Sequence, residues 1–520
     1  MPFSIQYLCE FFTTLSYIEK PTKALKELGE FYTGRLDSSY FINYNNYLIY
    51  NKFLSLEKYI EKMAENNCLI LVNALTTFKN IFFKNFNINL IKLNLISISS
   101  FSFYIYFKFF NIKKIEKWIK KEEENYIRDS YFGGRCEVFG NKKENEKIFY
   151  FDFSGMYASC MLEKNVYGRP ELVYDKTDFT QPGFYNITWY SCNNNKPILP
   201  HHNLINNKLL FTNGYGAGTY WFEEIILFKK YGGKVLKINS ALIYKNFDYL
   251  FNDFINYFND LKTINPLCKT LSKLIINSFY GKCALKPNQE IFLFIHNDEE
   301  FKKINQLHED KLIKINKLDE INTTKFVSII LERNTYKILF ENKFIFQIHK
   351  EKCPNIAIAS SVAAKARIKL YEAFISVEKN NGRVLYCDTD SIFAAYQYDV
   401  YGQQHGNIKW DLKSNDSIIL DGLFLSPKTY SLQFTNQFIT KIKGVNRNYL
   451  SFETIKQKIN SNEKILNCES PNLYTKNFVI LKKLQKKKIK LLAYDKRLFQ
   501  NNLLETIPFY HLNGVYSTGI

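Results

Sequence analysis

A short acidic turn between two apolar arms is the feature that most constrains how this chain can fold. The segment Val384–Phe393 reads VLYCDTDSIF and places Asp388 and Asp390 on either side of Thr389. Apolar runs around a short polar break predict a β-hairpin, and residues two apart in extended chain project to one face. Neighbouring carboxylates repel each other unless a cation lies between them. A metal-binding turn is therefore favoured, with a plain Asp-rich turn as the alternative.

A third acid stands at the end of another apolar run. Residues Ile148–Asp152 read IFYFD, which predicts a strand that is buried on both faces and ends in a carboxylate. A charge in that position is costly unless something compensates it. A metal ion would compensate it. A cap on a helix that begins near Ser154 is the commoner explanation for such an Asp taken alone.

The chain between these acids contains a segment with helical periodicity. Residues Leu267–Gly281 read LCKTLSKLIINSFYG, and the final glycine suits a helix end. At about 100° per residue, four polar or aromatic side chains fall within about 80° of one another. They are Lys269, Lys273, Asn277 and Tyr280. A solvated lysine stripe does not explain the tyrosine, whereas a triphosphate held by the lysines with a base beside Tyr280 explains both.

These elements and two shorter motifs resemble, in order and spacing, the family B DNA polymerases. The resemblance is to the protein-primed branch, which is found in certain phages, linear plasmids and organelle elements. DFSGMYAS resembles the first palm motif, KLIINSFYG the fingers motif and YCDTDS the second palm motif, beside a Tyr-x-Gly-Gly motif and a Lys-x-Tyr motif. The residues are Tyr131, Gly133, Gly134, Asp152–Ser159, Lys273–Gly281, Tyr386–Ser391 and Lys428–Tyr430.

The resemblance implies an α+β multidomain fold. This is a right-hand polymerase with palm, fingers and thumb, preceded by a truncated ribonuclease-H-like exonuclease remnant. The expected regions are a degenerate exonuclease-like region (1–110), a linker (111–135), a first palm segment (136–165), a first insertion for a terminal protein (166–260), fingers (261–284), a second insertion (285–350), a second palm segment (351–435), and the thumb with a basic C-terminus (436–520).

The resemblance also implies a role for each motif residue. Asp152 and Asp390 are expected to hold two Mg²⁺ ions, with Mn²⁺ as an alternative, and Asp388 to complete the acidic cluster. Nucleotide contacts are expected from Tyr157, as a gate against a ribose 2′-hydroxyl, and from Lys262, Lys269, Lys273, Asn277 and Tyr280. Contacts with primer and DNA are expected from Tyr131, Gly133, Gly134, Thr389, Lys428 and Tyr430. The implied partners are a DNA template–primer, deoxynucleoside triphosphates and a terminal protein as primer.

Composition fits a nucleic-acid partner but does not require one. The formal charge is +20, which suits a polyanion. Phe (46) and Tyr (37) are abundant while Gly (21) and Pro (12) are scarce, which indicates an A/T-rich gene. Such a gene adds lysine whatever the function of the protein. The lysine-rich run Lys482–Lys490 is therefore either a solvated charged surface or a contact with DNA phosphates. The same bias predicts an organelle origin, in a mitochondrion or plastid, on the organelle genome or a plasmid.

Membrane and zinc-ribbon classes are not expected. The uncharged stretch Leu93–Phe107 is shorter than the roughly 20 residues that span a bilayer, so buried strands are the favoured interpretation and no membrane partner is expected. No two of the ten cysteines form a C-x-x-C pair.

The resemblance fails at the proofreading exonuclease. We find no convincing Asp-x-Glu pair before Tyr131, and the counterpart of the later Tyr-x-x-x-Asp motif is Tyr47–Asn51, with an amide where a carboxylate is needed. The sequence therefore predicts a truncated remnant that does not proofread. Gly155, Met156 and Ala158 also depart from the usual first palm motif.

Three rival functions stay open on the sequence alone. A catalytically decayed polymerase that only binds nucleic acid would fit the truncation. A reverse transcriptase would have two adjacent acids, whereas Thr389 separates them here. A basic RNA-binding or scaffold protein would require all five motifs to be fortuitous.

Overall fold

The computed structural model describes the following residues: 86–88, 97–113, 115–192, 194–203, 206–263, 266–285, 290–295, 298–309, 313–321, 324–331, 337–340, 344–347, 353–398, 419–443, 450–461, 465–476, 479–490, 495–500, 503–512 and 515–517. The helical segments predicted at 22–32 and 55–66 lie outside these residues, as does the Tyr47–Asn51 motif.

The helices within this portion of the chain are α1 (Ile98–Ile105), α2 (Lys121–Arg128), α3 (Met156–Met161), α4 (Phe222–Lys230), α5 (Asn252–Leu261), α6 (Pro266–Cys283), α7 (Asp298–Glu309), α8 (Ile356–Lys379) and α9 (Phe452–Asn460). A π-helical turn, Tyr106–Phe110, continues α1.

The strands are β1 (Trp118–Ile119), β2 (Cys136–Val138), β3 (Lys147–Asp152), β4 (Lys164–Tyr167), β5 (Glu171–Val173), β6 (Gly183–Ser191), β7 (Pro200–His202), β8 (Leu209–Phe211), β9 (Asn213–Trp221), β10 (Lys234–Ile243), β11 (Asn246–Tyr249), β12 (Glu290–Ile295), β13 (Ile313–Ile321), β14 (Thr324–Leu331), β15 (Lys337–Phe340), β16 (Phe344–Gln347), β17 (Cys353–Pro354), β18 (Arg383–Asp388), β19 (Ser391–Tyr396), β20 (Ile419–Ser426), β21 (Thr429–Phe434), β22 (Phe438–Lys441), β23 (Ile465–Lys476), β24 (Val479–Lys490), β25 (Arg497–Gln500), β26 (Glu505–Pro508), β27 (Tyr510–Leu512) and β28 (Val515–Ser517).

The chain divides into two compact units. The first contains Met1–Phe101, Asn259–Leu274 and Ile465–Lys490. Its long antiparallel hairpin pairs β23 with β24 from Ile465 opposite Lys490 to Lys476 opposite Val479. The basic run Lys482–Lys490 is therefore one arm of a hairpin. The second unit contains the remaining chain, Ser102–Phe258, Ile275–Lys464 and Leu491–Ile520.

A seven-stranded antiparallel sheet is the centre of the second unit, in the order β2-β18-β19-β3-β20-β21-β22. The predicted strand ending at Asp152 is β3, and the predicted hairpin is β18–β19, so both expectations are confirmed. Side chains on one face form an apolar core around Leu385, Phe393 and Phe424. Every residue of β19 is buried, so both faces of the sheet are covered there, and a one-residue slip would exchange the side chains of the two faces.

Helix α8 packs beside this sheet and contacts α2, α3, α4 and β18. The sequence predicted a helix near Ile356–Val377, and the structure confirms it with two further residues at its end. Its first half is rich in alanine and serine, and these small side chains are buried. Small residues let the helix axis approach its neighbours closely, and two charged residues in this part of α8, Lys365 and Arg367, are buried with them.

A second, six-stranded sheet has the order β28-β27-β9-β6-β10-β5. Strands β5, β6, β9 and β10 pair antiparallel, whereas β27 joins β9 in parallel. Residues near the C-terminus therefore complete a sheet built mainly from residues 171–243. Trp189 and Phe228 pack edge to face between β6 and α4, so α4 covers one face of this sheet.

Two local predictions are wrong. Leu93–Phe107 was expected to form buried strands, but Ile98–Ile105 is helix α1. The Ser97 hydroxyl accepts a hydrogen bond from the Ser100 amide, which is a helix-start signal that outweighed the apolar run. Gly281 was expected to end its helix, yet α6 continues to Cys283, since an interior glycine costs only about 1 kcal/mol.

Within the described ranges, none of the helices combines the length and the apolar character that crossing a bilayer requires.

His201 on β7 makes the stability of this fold depend on pH. Its ring stacks on that of His511 at 5.3 Å, and burial, with His511 and His202 nearby, lowers its pKa from 6.5 to about 4. The unfolded chain therefore binds the proton first as the pH falls. Stability from the neutral ring is full above pH 6.5 and is lost toward pH 4.

We predict that His201→Phe reduces this acid sensitivity. Between pH 7.5 and pH 5, wild type should lose about 2 kcal/mol more of its unfolding free energy than the variant does. Urea unfolding at several pH values measures the difference. Parallel stability curves for the two proteins would contradict the assignment.

Candidate active site

The acidic residues predicted from the two apolar segments meet at one edge of the central sheet. Asp388 ends β18 and lies opposite Ser391, the first residue of β19. Ser391 in turn lies opposite Asp152, the last residue of β3. Asp390 is in the two-residue connection between β18 and β19. The three acids are thus brought together by the antiparallel register, although about 240 residues separate Asp152 from the other two.

The turn that carries Asp390 is tight. The Asp390 amide donates to the Asp388 carbonyl at 2.7 Å, which closes a three-residue turn around Thr389. Thr389 has a φ of 64°, a conformation that a β-branched residue avoids. The Asp390 carbonyl accepts from the Phe153 amide at 2.8 Å, so the turn is tied to the end of β3.

The Tyr-x-Gly-Gly segment packs directly against this turn. The Thr389 amide donates to the Arg135 carbonyl at 2.8 Å. A Cβ at Gly134 would lie 2.6 Å from Cγ2 of Thr389, which is closer than real Cβ contacts. Gly134 is therefore required by the close approach of Thr389. A Cβ at Gly133 would meet nothing within 4 Å, so no such requirement holds there.

Lys428 lies over Asp388. Its ammonium is 3.3 Å from both carboxylate oxygens, and its side chain is 64% exposed. Lys428 sits in the turn between β20 and β21 with a φ of 62°, and its amide donates to the Tyr386 hydroxyl at 3.0 Å. An exposed ion pair of this kind is weak and open to exchange with another anion. Asp388 thus has a cationic partner in the protein itself.

Tyr430 occupies a different environment from Lys428. It is only 8% exposed and packs in the apolar core, with ring centroids 5.5 Å from Tyr386 and 5.7 Å from Phe393. Of the two motif residues, Lys428 is the one that presents its side chain to solvent. A contact between Tyr430 and a primer strand stays a prediction.

Three of the predicted tyrosines form one group. Tyr157 on α3 stacks on Tyr280 of α6 with a centroid distance of 4.4 Å and an interplanar angle of 16°. The Tyr131 hydroxyl is 3.4 Å from that of Tyr280. Burial, the Tyr131 hydroxyl and the Asp390 carboxylate all raise the pKa of Tyr157. The aromatic group is therefore within electrostatic reach of the acidic turn.

The predicted nucleotide-binding lysines belong to the first unit. Lys269 and Lys273 are exposed on α6, and Asn277, in the second unit, is exposed one turn further along the same helix. Lys262 donates to the Asn259 side chain at 2.7 Å. Burial and the charge of Lys273 lower the pKa of Lys262. Lys262 and Lys273 are thus within electrostatic reach of each other.

Two buried ion pairs near the site were not predicted from the sequence. Arg367 on α8 binds both oxygens of Glu224 at 2.7 and 2.9 Å and donates to the Phe132 carbonyl at 2.6 Å. Arg135 pairs with Glu137 at 2.6 Å. Each of these four side chains is at most 4% exposed. The sequence signal for these pairs was an arginine or a glutamate inside an otherwise apolar segment. Such a residue is buried with its segment, and a buried charge needs a partner of opposite charge.

The donor set suits Mg²⁺ that shares its ligands with a substrate. Among the residues that the structure describes, no three His, Cys, Asp or Glu side chains form a group arranged to hold a metal ion. Mg²⁺ is commonly bound by one or two carboxylates together with substrate phosphates and water. Asp152 and Asp390 would supply those carboxylates, while Asp388 lies against the ammonium of Lys428. The residues present therefore fit a metal that binds together with a phosphate.

Comparison with known proteins places the sequence among polymerases. Residues 1–380 match the family described as DNA polymerase type B, organellar and viral. A "Probable DNA polymerase" of Neurospora intermedia is 26% identical over 404 residues, which are 73% of this chain and 38% of that protein. A protein of the same description from Podospora anserina is 24% identical over 79% of this chain and 35% of its own length. The chain thus spans less than two fifths of either relative.

Solved structures support the fold. Phi29 DNA polymerase complexed with primer-template DNA and incoming nucleotide substrates gives a TM-score of 0.60 at 18% identity, over 84% of this chain and 73% of that chain. The same polymerase with primer-template DNA alone gives 0.59 at 17% identity. These values confirm the predicted right-hand polymerase architecture.

Removal of the Arg367 guanidinium should strongly destabilise the second unit. Arg367→Met leaves Glu224 buried without its partner and takes a donor from the Phe132 carbonyl. We predict a loss of about 3–5 kcal/mol in unfolding free energy. Arg367→Met combined with Glu224→Gln should cost less than Arg367→Met alone. Urea unfolding of both variants tests this, and an Arg367→Met variant that is as stable as wild type would contradict it.

Proposed function

The chain belongs to the organellar and viral type B DNA polymerases, and we propose that it extends a DNA primer on a DNA template by two-metal nucleotidyl transfer. The observation that carries the proposal is the register that sets Asp388 and Asp152 on either side of Ser391, with Asp390 on the turn between the strands. This arrangement offers carboxylates at one edge of a rigid sheet, where they need little reorganisation to bind a cation.

Each acid has a distinct role in this proposal. Asp152 and Asp390 would hold the two metal ions, which, when bound, lower the pKa of the primer 3′-hydroxyl and neutralise charge on the leaving pyrophosphate. Mg²⁺ is the ion we propose, with Mn²⁺ as a substitute. Asp388 keeps Lys428 at the mouth of the site. Lys428 can then exchange this weak, exposed ion pair for a primer phosphate.

The tyrosine group borders the nucleotide position. Tyr157 and Tyr280 present stacked rings next to the charge of Asp390. We assign Tyr280 to the nascent base pair and Tyr157 to exclusion of a ribose 2′-hydroxyl. The exposed Lys269 and Lys273, with Lys262, neutralise the triphosphate, and Asn277 adds an amide on the same helix.

The basic hairpin gives a sequence-independent hold on DNA. The six lysines of β24 are Lys482, Lys483, Lys486, Lys487, Lys488 and Lys490. Lysines that neutralise phosphates release counterions, so binding through them weakens steeply with salt. We propose that this strand grips duplex phosphates.

The proposal also covers how synthesis begins, by priming on a protein, and what is replicated, an organelle element. The matched family is described as organellar and viral, and the similar proteins named above come from fungi. A phi29 polymerase structure of similar fold holds primer-template DNA and nucleotides. We propose that residues 166–260 receive a terminal protein, and that the chain replicates an organelle genome element or a linear plasmid.

Loss of one metal-binding carboxylate should abolish synthesis. We predict that wild type extends a primer on a DNA template in Mg²⁺, and that Asp390→Ala lowers the rate by at least about 10³-fold, as expected when a transition-state charge contact is removed. Asp178→Ala is the matched control, because Asp178 is an exposed acid that contacts Thr180.

The test compares the rates of primer extension by wild type, Asp390→Ala and Asp178→Ala. Equal incorporation by wild type and Asp390→Ala would refute the site. Absence of synthesis by wild type, with DNA binding retained, would favour a decayed polymerase. Extension confined to RNA templates would favour a reverse transcriptase.

Proofreading should be absent. Asn51 stands where the exonuclease motif needs a carboxylate, and an amide cannot supply the anionic metal ligand. We predict that the protein does not shorten a primer with a mismatched 3′ end in Mg²⁺ without nucleotides. The Asp390→Ala variant serves as the control for polymerase-site contributions. Removal of the mismatched nucleotide by both proteins would overturn this assignment.

A further inference from the structure

One face of the six-stranded sheet carries a set of side chains that the polymerase site does not use. The pairing of β6 with β9 and β10 places residues in rows across the sheet. Tyr190 is opposite Tyr215 on one side and Lys234 on the other. Thr188 is likewise flanked by Ala217 and Lys237, in the next row. We call these two rows the tyrosine–lysine face.

This face is open to solvent and carries only positive charge. Tyr215 is 43% exposed, and Ala217, Lys234 and Lys237 are exposed. Strands β6, β9 and β10 contain these two lysines and no aspartate or glutamate. The opposite face of the sheet is buried, since Trp189 packs against Phe228 of α4.

The aromatic residues of the face lie together. The rings of Tyr190 and Tyr215 are 4.7 Å apart with an interplanar angle of 47°. The side chain of Tyr510, on the neighbouring strand β27, is hydrogen-bonded to that of Tyr190. Thr188 and Ala217 lie in the row next to the tyrosines, and the Asn239 side-chain amide donates to the Thr188 hydroxyl at 3.3 Å.

The face ends where α2 begins to cover the sheet. The next row contains Asn186, Thr219 and Ser240. The Tyr126 hydroxyl of α2 is 3.0 Å from that of Ser240. Because α2 contains glutamates, this end disfavours an anionic ligand. An anionic ligand is therefore expected to bind at the two rows of the tyrosine–lysine face, away from α2.

We propose that the tyrosine–lysine face binds single-stranded nucleic acid. Exposed tyrosines offer flat surfaces on which bases stack, and nearby lysines neutralise the connecting phosphates. Strands are about 4.8 Å apart and rows on one face about 7 Å apart, so the face accommodates one or two nucleotides. Binding is weak, independent of sequence and sensitive to salt.

Single-stranded nucleic acid suits the face better than an acidic protein segment does. An acidic segment would pair with the lysines but would leave the exposed tyrosine rings without a stacking partner. A strand of bases uses the rings and the charges at once. The proposal goes beyond primer extension, because no residue assigned above to metal, nucleotide or primer lies on β6, β9 or β10. These strands belong to residues 166–260, so the proposal adds a nucleic-acid contact to the region that we proposed for a terminal protein.

Photocrosslinking locates the site directly. The full chain is first saturated with a hairpin template–primer, which occupies the polymerase cleft. A dT12 oligonucleotide that contains 5-iododeoxyuridine is then added at low salt and irradiated, and crosslinked peptides are identified by mass spectrometry. We expect crosslinks in residues 183–191 and 213–221. Their absence would overturn the proposal.

Matched charge variants complete the test. Lys234→Glu/Lys237→Glu should weaken dT12 binding on the order of tenfold in fluorescence anisotropy with the hairpin present. Lys229→Glu/Lys230→Glu makes the same charge change on α4, across the sheet, and should leave binding near wild type. Equal weakening by both pairs would overturn the proposal.

Primer extension on the hairpin separates this site from the proposed function. Extension should be unchanged in both variants, because neither lysine pair lies in the polymerase site. If wild type does not extend the hairpin but dT12 still crosslinks to the face, the polymerase proposal fails and this one stands.

Discussion

The acidic site depends on one strained turn. Thr389 takes a left-handed conformation, and the bond from the Asp390 amide to the Asp388 carbonyl reverses the chain within three residues. A β-branched residue adopts this conformation only when its surroundings impose it. Here the Arg135 carbonyl and the Phe153 amide hold the turn from two sides, and Gly134 leaves room for the threonine side chain.

The supports of that turn are fixed by buried charges. Arg135 is anchored by Glu137, and the preceding residues are anchored through Arg367, whose partner Glu224 lies on α4. The same segment carries Tyr131, which reaches the Tyr157–Tyr280 stack. One loop, residues 131–135, therefore contacts both the carboxylate turn and the tyrosine group. This common support explains why motifs distant in sequence can act at one site.

The sequence predicted those features of the site that depend on local pattern. Apolar runs ending in Asp152 and Asp388 predicted strands β3 and β18, and helical spacing predicted α6. Their convergence came only from resemblance to a family, because register over long separations has no local signal. The partnership of Lys428 with Asp388 and the burial of Tyr430 also required the structure, since the motif spacing treats both residues alike. The prediction of buried strands in Leu93–Phe107 was wrong because apolar composition alone does not distinguish a buried strand from a buried helix.

We propose that Asp152 and Asp390 hold the catalytic metal ions, while Asp388 forms an ion pair with Lys428. A crystal structure with a dideoxy-terminated template–primer, the matching nucleotide and Mg²⁺ tests it most directly. We predict Mg²⁺ within about 2.1 Å of oxygens from Asp152 and Asp390, with Lys428 moved from Asp388 to a primer phosphate. Metal bound through Asp388 instead, or nucleotide bound away from this edge of the sheet, would contradict the account.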